Sequence, residues 1–249
     1  MTGPAIEVRG LVKRFVSPVA VTAVDGVSFE VHPGEVFGLL GPNGAGKTTT
    51  LRMLATLVKP DAGTAVLAGC ALGSDPAGVR RAIGYLSGAT GLYGRLTARE
   101  LLEYFARIQG VADPAARVAA SIERFGIGPF ADRRCEHLST GMKQKVSIAR
   151  AAIHDPPILI LDEPTSGLDV LVAQTVLGFV EEVRAEGRAV VYSTHVMSEA
   201  ERLCDRIAIV HQGRILAVGT LDALRASTGE RYLEAIFIAL VDGAARETG

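Results

Sequence analysis

The chain has 249 residues, 48% of them hydrophobic, enough to bury a core and to exclude a disordered polymer. Its formal net charge of −1 provides no global basic field for a phosphate backbone, which excludes nucleic acid as a default partner. Cys70, Cys135 and Cys204 are odd in number and scattered, fit neither a disulfide framework nor a zinc site, and read as reduced thiols of a cytosolic chain.

In chain order, residues 1–10 carry neither a basic leader nor an apolar run, so no export signal is expected. Short β-branched runs at 5–8, 27–31, 36–40, 64–67, 83–86, 158–161, 189–193 and 206–210 predict strands bounded by Gly and Pro. Three of them, 36–40, 158–161 and 189–193, are almost wholly apolar, the pattern of central strands covered on both faces of a mostly parallel sheet. A helical pattern follows the first of these at 49–57. Strand signals vanish from about 97 to 153. Thr97 and Glu100 form a capping box ahead of a stripe of Leu101, Leu102, Phe105 and Ile108, and a second helix starts after Asp113-Pro114 and ends near Gly126. The fold class is therefore α/β with an inserted helical subdomain. Tyr232, Leu233, Ile236, Phe237 and Leu240 keep helical spacing near the end, as a helix docked on the domain would. No apolar run approaches the ~20 residues of a membrane span; that at 235–241 is far too short.

Gly41-Pro42-Asn43-Gly44-Ala45-Gly46-Lys47-Thr48, with Thr49 next, matches G-x4-G-K-[ST] and sits between a predicted strand and a predicted helix, the context this phosphate loop requires. Glycines 41, 44 and 46 are expected to take positive φ and turn backbone N–H groups toward phosphate oxygens, aided by the helix N-terminus. Lys47 would neutralise the β and γ phosphates of a bound nucleotide, and Thr48 would offer its hydroxyl to Mg2+. The run at 158–161 ends in Asp162-Glu163. Asp162 is the expected second magnesium-ordering group, and Glu163 the candidate base for the water attacking the γ-phosphate. His195, just after the run at 189–193, is placed to bridge phosphate and water.

Leu138-Ser139-Thr140-Gly141-Met142, followed by a helical run at 143–153, resembles the signature of ABC ATPases. Ser166-Gly167-Leu168-Asp169 resembles that family's D-loop, Ser193-Thr194-His195 its switch-histidine segment, and Phe15 stands where its adenine-stacking aromatic stands. The resemblance covers essentially the whole chain. It implies one P-loop NTPase domain: a core at about 1–87 and 154–226 with an N-terminal antiparallel β part, a helical subdomain at about 88–153 and a C-terminal helix at about 230–241. It also implies two copies sandwiching two ATP, with Ser139 and Gly141 contacting the γ-phosphate across the pair and Asp169 of the D-loop among the nucleotide-binding residues, and a polytopic membrane permease driven from the cytoplasmic face. Two departures stand out. Gly88 occupies the position of the family's usual glutamine, and Thr140 and Met142 replace two residues of the usual Leu-Ser-Gly-Gly-Gln. With Gly91-Leu92-Tyr93 and the segment from Leu96 to Glu100, these are similar to type 2 exporter ATPases, above all the sodium-extrusion group. A drug, lipid or other hydrophobic cargo is the alternative, and a non-transport ABC ATPase a more distant one.

Overall fold

The computed structural model describes residues 3–16, 20–87 and 91–247. Ile6–Phe15 (β1) and Val21–Val31 (β2) pair antiparallel, with Ile6 opposite Val31 and Phe15 opposite Val21. Both strands bury one face in the alternating manner of a sheet with one wet side. Val36–Leu40 (β3) is buried throughout. Next come Lys47–Leu54 (α1), Ala62–Leu67 (β4) and Cys70–Ala71 (β5), which complete a four-stranded sheet in the order β2-β1-β4-β5.

Pro76–Ala82 (α2) leads into Ile83–Ser87 (β6). Ala98–Ile108 (α3) starts at the predicted capping box, with the Thr97 hydroxyl accepting from Glu100 N and Glu100 Oε2 accepting from Thr97 N. Pro114–Arg124 (α4) is capped by Asp113, and Gly126 (φ 58°) closes the turn beyond it. Thr140–Ala152 (α5) precedes Ile158–Asp162 (β7), Val170–Ala185 (α6), Ala189–Thr194 (β8), Met197–Leu203 (α7), Arg206–His211 (β9) and Arg214–Gly219 (β10). Leu221–Thr228 (α8) and Leu233–Glu247 (α9) follow.

The second sheet runs β10-β9-β3-β8-β7-β6, parallel except for β10. The three almost wholly apolar runs are its adjacent central strands β3, β8 and β7, buried at every position. One apolar cluster fills the space between the two sheets and α1, where Phe29 stacks on Phe37 at 5.0 Å. Another joins Leu101, Ile122 and Val146 of the helical segment to Leu159 and Leu161 of β7 and to Val180 of α6. Helices and sheet thus share one core rather than each closing its own.

Several elements depart from the pattern-based expectation. The helix predicted at 49–57 is α1, and it stops at Leu54 because Thr56 adopts φ 61°, which leaves Leu57 exposed. Strands β5 and β10 were not predicted. A two-residue turn, Gln212-Gly213, with φ of 45° and 79°, folds β10 back on β9, the conformation of a type I′ hairpin. Tyr232 precedes α9 and is exposed, while Leu233 and Ile236 dock on the core.

Candidate functional site

The β3–α1 junction opens a cleft of about 430 Å³, lined by residues 42–49, Val21 to Ala23, Glu163 and Gln212. Two glycines of the loop hold left-handed backbone, Gly44 at φ 82° and Gly46 at φ 102°. Gly41 does not, contrary to expectation. Its requirement is space, because a Cβ there would lie 2.2 Å from the Val210 carbonyl oxygen. Gly46 combines both constraints, with a Cβ position 2.3 Å from Ala23 O. Gly46→Ala is therefore expected to destabilise the fold by more than about 1 kcal/mol, measurable by urea unfolding.

The first backbone bond into α1 runs from Thr50 N to Gly46 O. The amides of Lys47, Thr48 and Thr49 accordingly have no backbone acceptor among the described residues and concentrate the positive end of the helix at the cleft. That is an anion site by construction.

Lys47 is almost wholly buried, and its ammonium donates to Gly41 O at 2.6 Å and Pro42 O at 3.1 Å. It also pairs with Glu163 Oε1 at 3.3 Å, while His195 Nδ1 lies 3.2 Å from Glu163 Oε2. The three residues expected to carry the chemistry therefore converge on one carboxylate. Asp162, buried at the end of β7, accepts from Thr48 Oγ1 at 3.0 Å and from Ser193 Oγ at 2.7 Å. Ser193 also receives Glu163 N, on Oγ at 3.0 Å and on its carbonyl at 3.2 Å. The two acidic neighbours part company because Glu163 takes φ 47°, a left-handed conformation uncommon outside glycine. The Ser193 contacts were not foreseen, since the 189–193 run points to burial and not to which neighbour its last hydroxyl meets.

The remaining expected residues stand elsewhere in the chain. Ser139 is the N-cap of α5, accepting from Met142 N at 3.3 Å, and Gly141 lies in the first turn. Asp169 caps α6, accepting from Val172 N at 3.0 Å. None of the three lines the cleft. Phe15, 41% exposed at the end of β1, does not line it either, although its strand partner Val21 does. Gly88 lies outside the described residues. Val21, Thr22, Ala23 and Gln212 were missed as lining residues; Gln212 stands in the β9–β10 turn, whose Gln-Gly sequence does not mark a hairpin.

Thr48 and Asp162 together offer a hydroxyl and a carboxylate oxygen at hydrogen-bonding distance beside the loop, hard oxygen donors of the kind Mg2+ takes alongside phosphate oxygens. No described helix is long and apolar enough to cross a membrane.

Comparison with known proteins gives a consistent result. The family model described as ABC transporter matches residues 24–166. The ABC transporter ATP-binding protein NatA of Bacillus subtilis (strain 168) is 42% identical over 88% of this chain and 90% of its own. The daunorubicin/doxorubicin resistance ATP-binding protein DrrA of Streptomyces peucetius is 41% identical over 92% of this chain and 69% of its own. Among solved structures, an ATP-binding subunit of an ABC transporter matches with a TM-score of 0.87 at 34% identity, covering 95% of this chain and 99% of that one. A dimeric bacterial ABC transporter cassette matches at 0.78 with 26% identity, covering 86% and 98%.

Proposed function

Because this chain belongs to the ABC transporter family, as an ATP-binding and ATP-hydrolysing subunit, we propose a division of labour among its cleft residues. The observation that carries it is the convergence of Lys47 and His195 on the two oxygens of Glu163 beside the phosphate loop. Residues 41–49 cradle the triphosphate, which the unpaired amides of Lys47, Thr48 and Thr49 receive, with Lys47 exchanging its loop carbonyls for β- and γ-phosphate oxygens. Thr48 and Asp162 would hold Mg2+, which supplies charge neutralisation on the phosphates. Glu163 orients the attacking water and accepts its proton; His195 fixes the second carboxylate oxygen and reaches the γ-phosphate. Phe15, at the edge of the β1–β2 ribbon, stacks on adenine.

Ser139, Gly141 and Asp169 lie outside the cleft but cap or open helices, so we assign them to the nucleotide of a second copy, received at the N-terminus of α5. We assign the chain at about 88–153 to the helical subdomain and at about 1–87 and 154–226 to the core. The membrane partner is a polytopic permease on whose cytoplasmic face the pair sits. The marks shared with sodium-extrusion ATPases favour Na+ efflux as the work performed; the identity with DrrA favours drug export as the second reading.

Purified chain is expected to bind ATP in a magnesium-dependent manner and to form a dimer with it, by isothermal titration and light scattering. Absence of magnesium-dependent ATP affinity overturns the assignment. Growth of cells carrying the chain and its permease in high sodium, against growth in an anthracycline, separates the two cargo readings.

A further inference from the structure

Helix α5 opens on the residues assigned to the partner's nucleotide, and one turn later it touches the turn that carries Glu163. Gly141 and Gln144, three positions apart, share a face of the helix. At Gly141, the contact is so close that a Cβ would lie 2.8 Å from Val172 Cγ2. At half-buried Gln144, the side-chain amide Nε2 donates to the carbonyl of Pro164, the residue after Glu163. Pro164 lies in the loop between β7 and α6 and Val172 in the first turn of α6, so α5 touches both the start of that loop and the helix it leads into. Inside the loop, Ser166 N donates to Glu163 O and Leu168 N to Thr165 O, both at 3.2 Å, and Asp169 caps α6. A displacement of α5 is therefore passed to Pro164, one peptide bond from the residue whose left-handed backbone aims the carboxylate.

We propose that Gln144 is a positioning residue linking the two nucleotides of the pair: through its bond to Pro164, seating of the partner's ATP on the start of α5 sets the placement of Glu163 in the chain's own cleft. This rests on the across-the-pair arrangement proposed above. Gln144 does not line the cleft and acts through Glu163 alone. Its contribution should thus fall on kcat and not on KM.

The test is an ATP titration of phosphate release by wild type, Gln144→Glu and Gln144→Lys, with light scattering of the same substitutions in the Glu163→Gln background with ATP and Mg2+. Gln144→Glu sets a carboxylate against the Pro164 carbonyl and should lower kcat about tenfold, with KM within about twofold, the scale of one lost hydrogen bond. Gln144→Lys keeps an N–H donor with sufficient reach and should stay within about threefold of wild type. The ATP-bound dimer should form in every case. Unchanged kcat in Gln144→Glu, no rescue by lysine, or loss of the dimer in step with kcat overturns the proposal. A Glu163→Gln chain with Gln144 intact that never dimerises with ATP overturns the across-the-pair arrangement itself; one that dimerises, with a wild-type kcat indifferent to Gln144, overturns only the link.

Discussion

Replacing Glu163 by glutamine is expected to reduce steady-state phosphate release by about 10²–10⁴-fold while ATP still binds and two copies still close on it. The reason lies in the two contacts of the carboxylate. Lys47 is donor-only, so the glutamine carbonyl must turn to it at the Oε1 position, which sends the amide NH2 toward His195 Nδ1; the imidazole then carries its proton on Nε2 and accepts at Nδ1. Shape and hydrogen bonding survive, proton acceptance does not, and ATP is held without being consumed. Light scattering with ATP and Mg2+ should then report a stable dimer, alongside phosphate release near background. A monomer under those conditions, or undiminished release, would remove Glu163 from its assigned role.

Lys47→Ala should act earlier in the cycle. Truncation deletes the ammonium that meets the β and γ phosphates, so ATP affinity should fall together with turnover, the latter by about 10²–10³-fold, or ~2.7–4 kcal/mol. The loss is compounded locally, because Gly41 O, Pro42 O and the Glu163 carboxylate all give up a donor that is itself almost completely buried. Titration calorimetry and phosphate release measured on one preparation separate this outcome from that of Glu163→Gln, which keeps affinity and loses only turnover. Equal affinity for ATP in wild type and Lys47→Ala would displace the lysine from the phosphates.

Much of this arrangement was legible beforehand. The loop at 41–48 announced itself by spacing, and the three apolar runs at 36–40, 158–161 and 189–193 did become neighbouring central strands. Their order across the sheet was not readable, since side-chain period reports burial and not which strand lies alongside. The β9–β10 hairpin escaped because its turn is Gln212-Gly213 and not Asn-Gly, and a two-residue strand such as β5 has no period at all. Helix α1 was overrun because Ala55 and Leu57 continue an apolar stripe that the φ of Thr56 cuts off. Around the cleft, residue types were visible but not their partners. The sharing of Ser193 between Asp162 and Glu163 depends on the β7–β8 register, which sets Asp162 opposite Ser193. Gly41 was read as a conformational need when it is a steric one, a distinction that requires knowing that Val210 passes beside it.

The left-handed backbone at Glu163 sets endurance and catalysis against each other. A residue with a Cβ costs roughly 1–2 kcal/mol to hold there, a burden that glycine escapes. Selection for heat tolerance alone would thus drift this position toward glycine, yielding a sturdier molecule that no longer turns over fuel. The torsion that aims the carboxylate is a steric strain this fold keeps for the sake of activity.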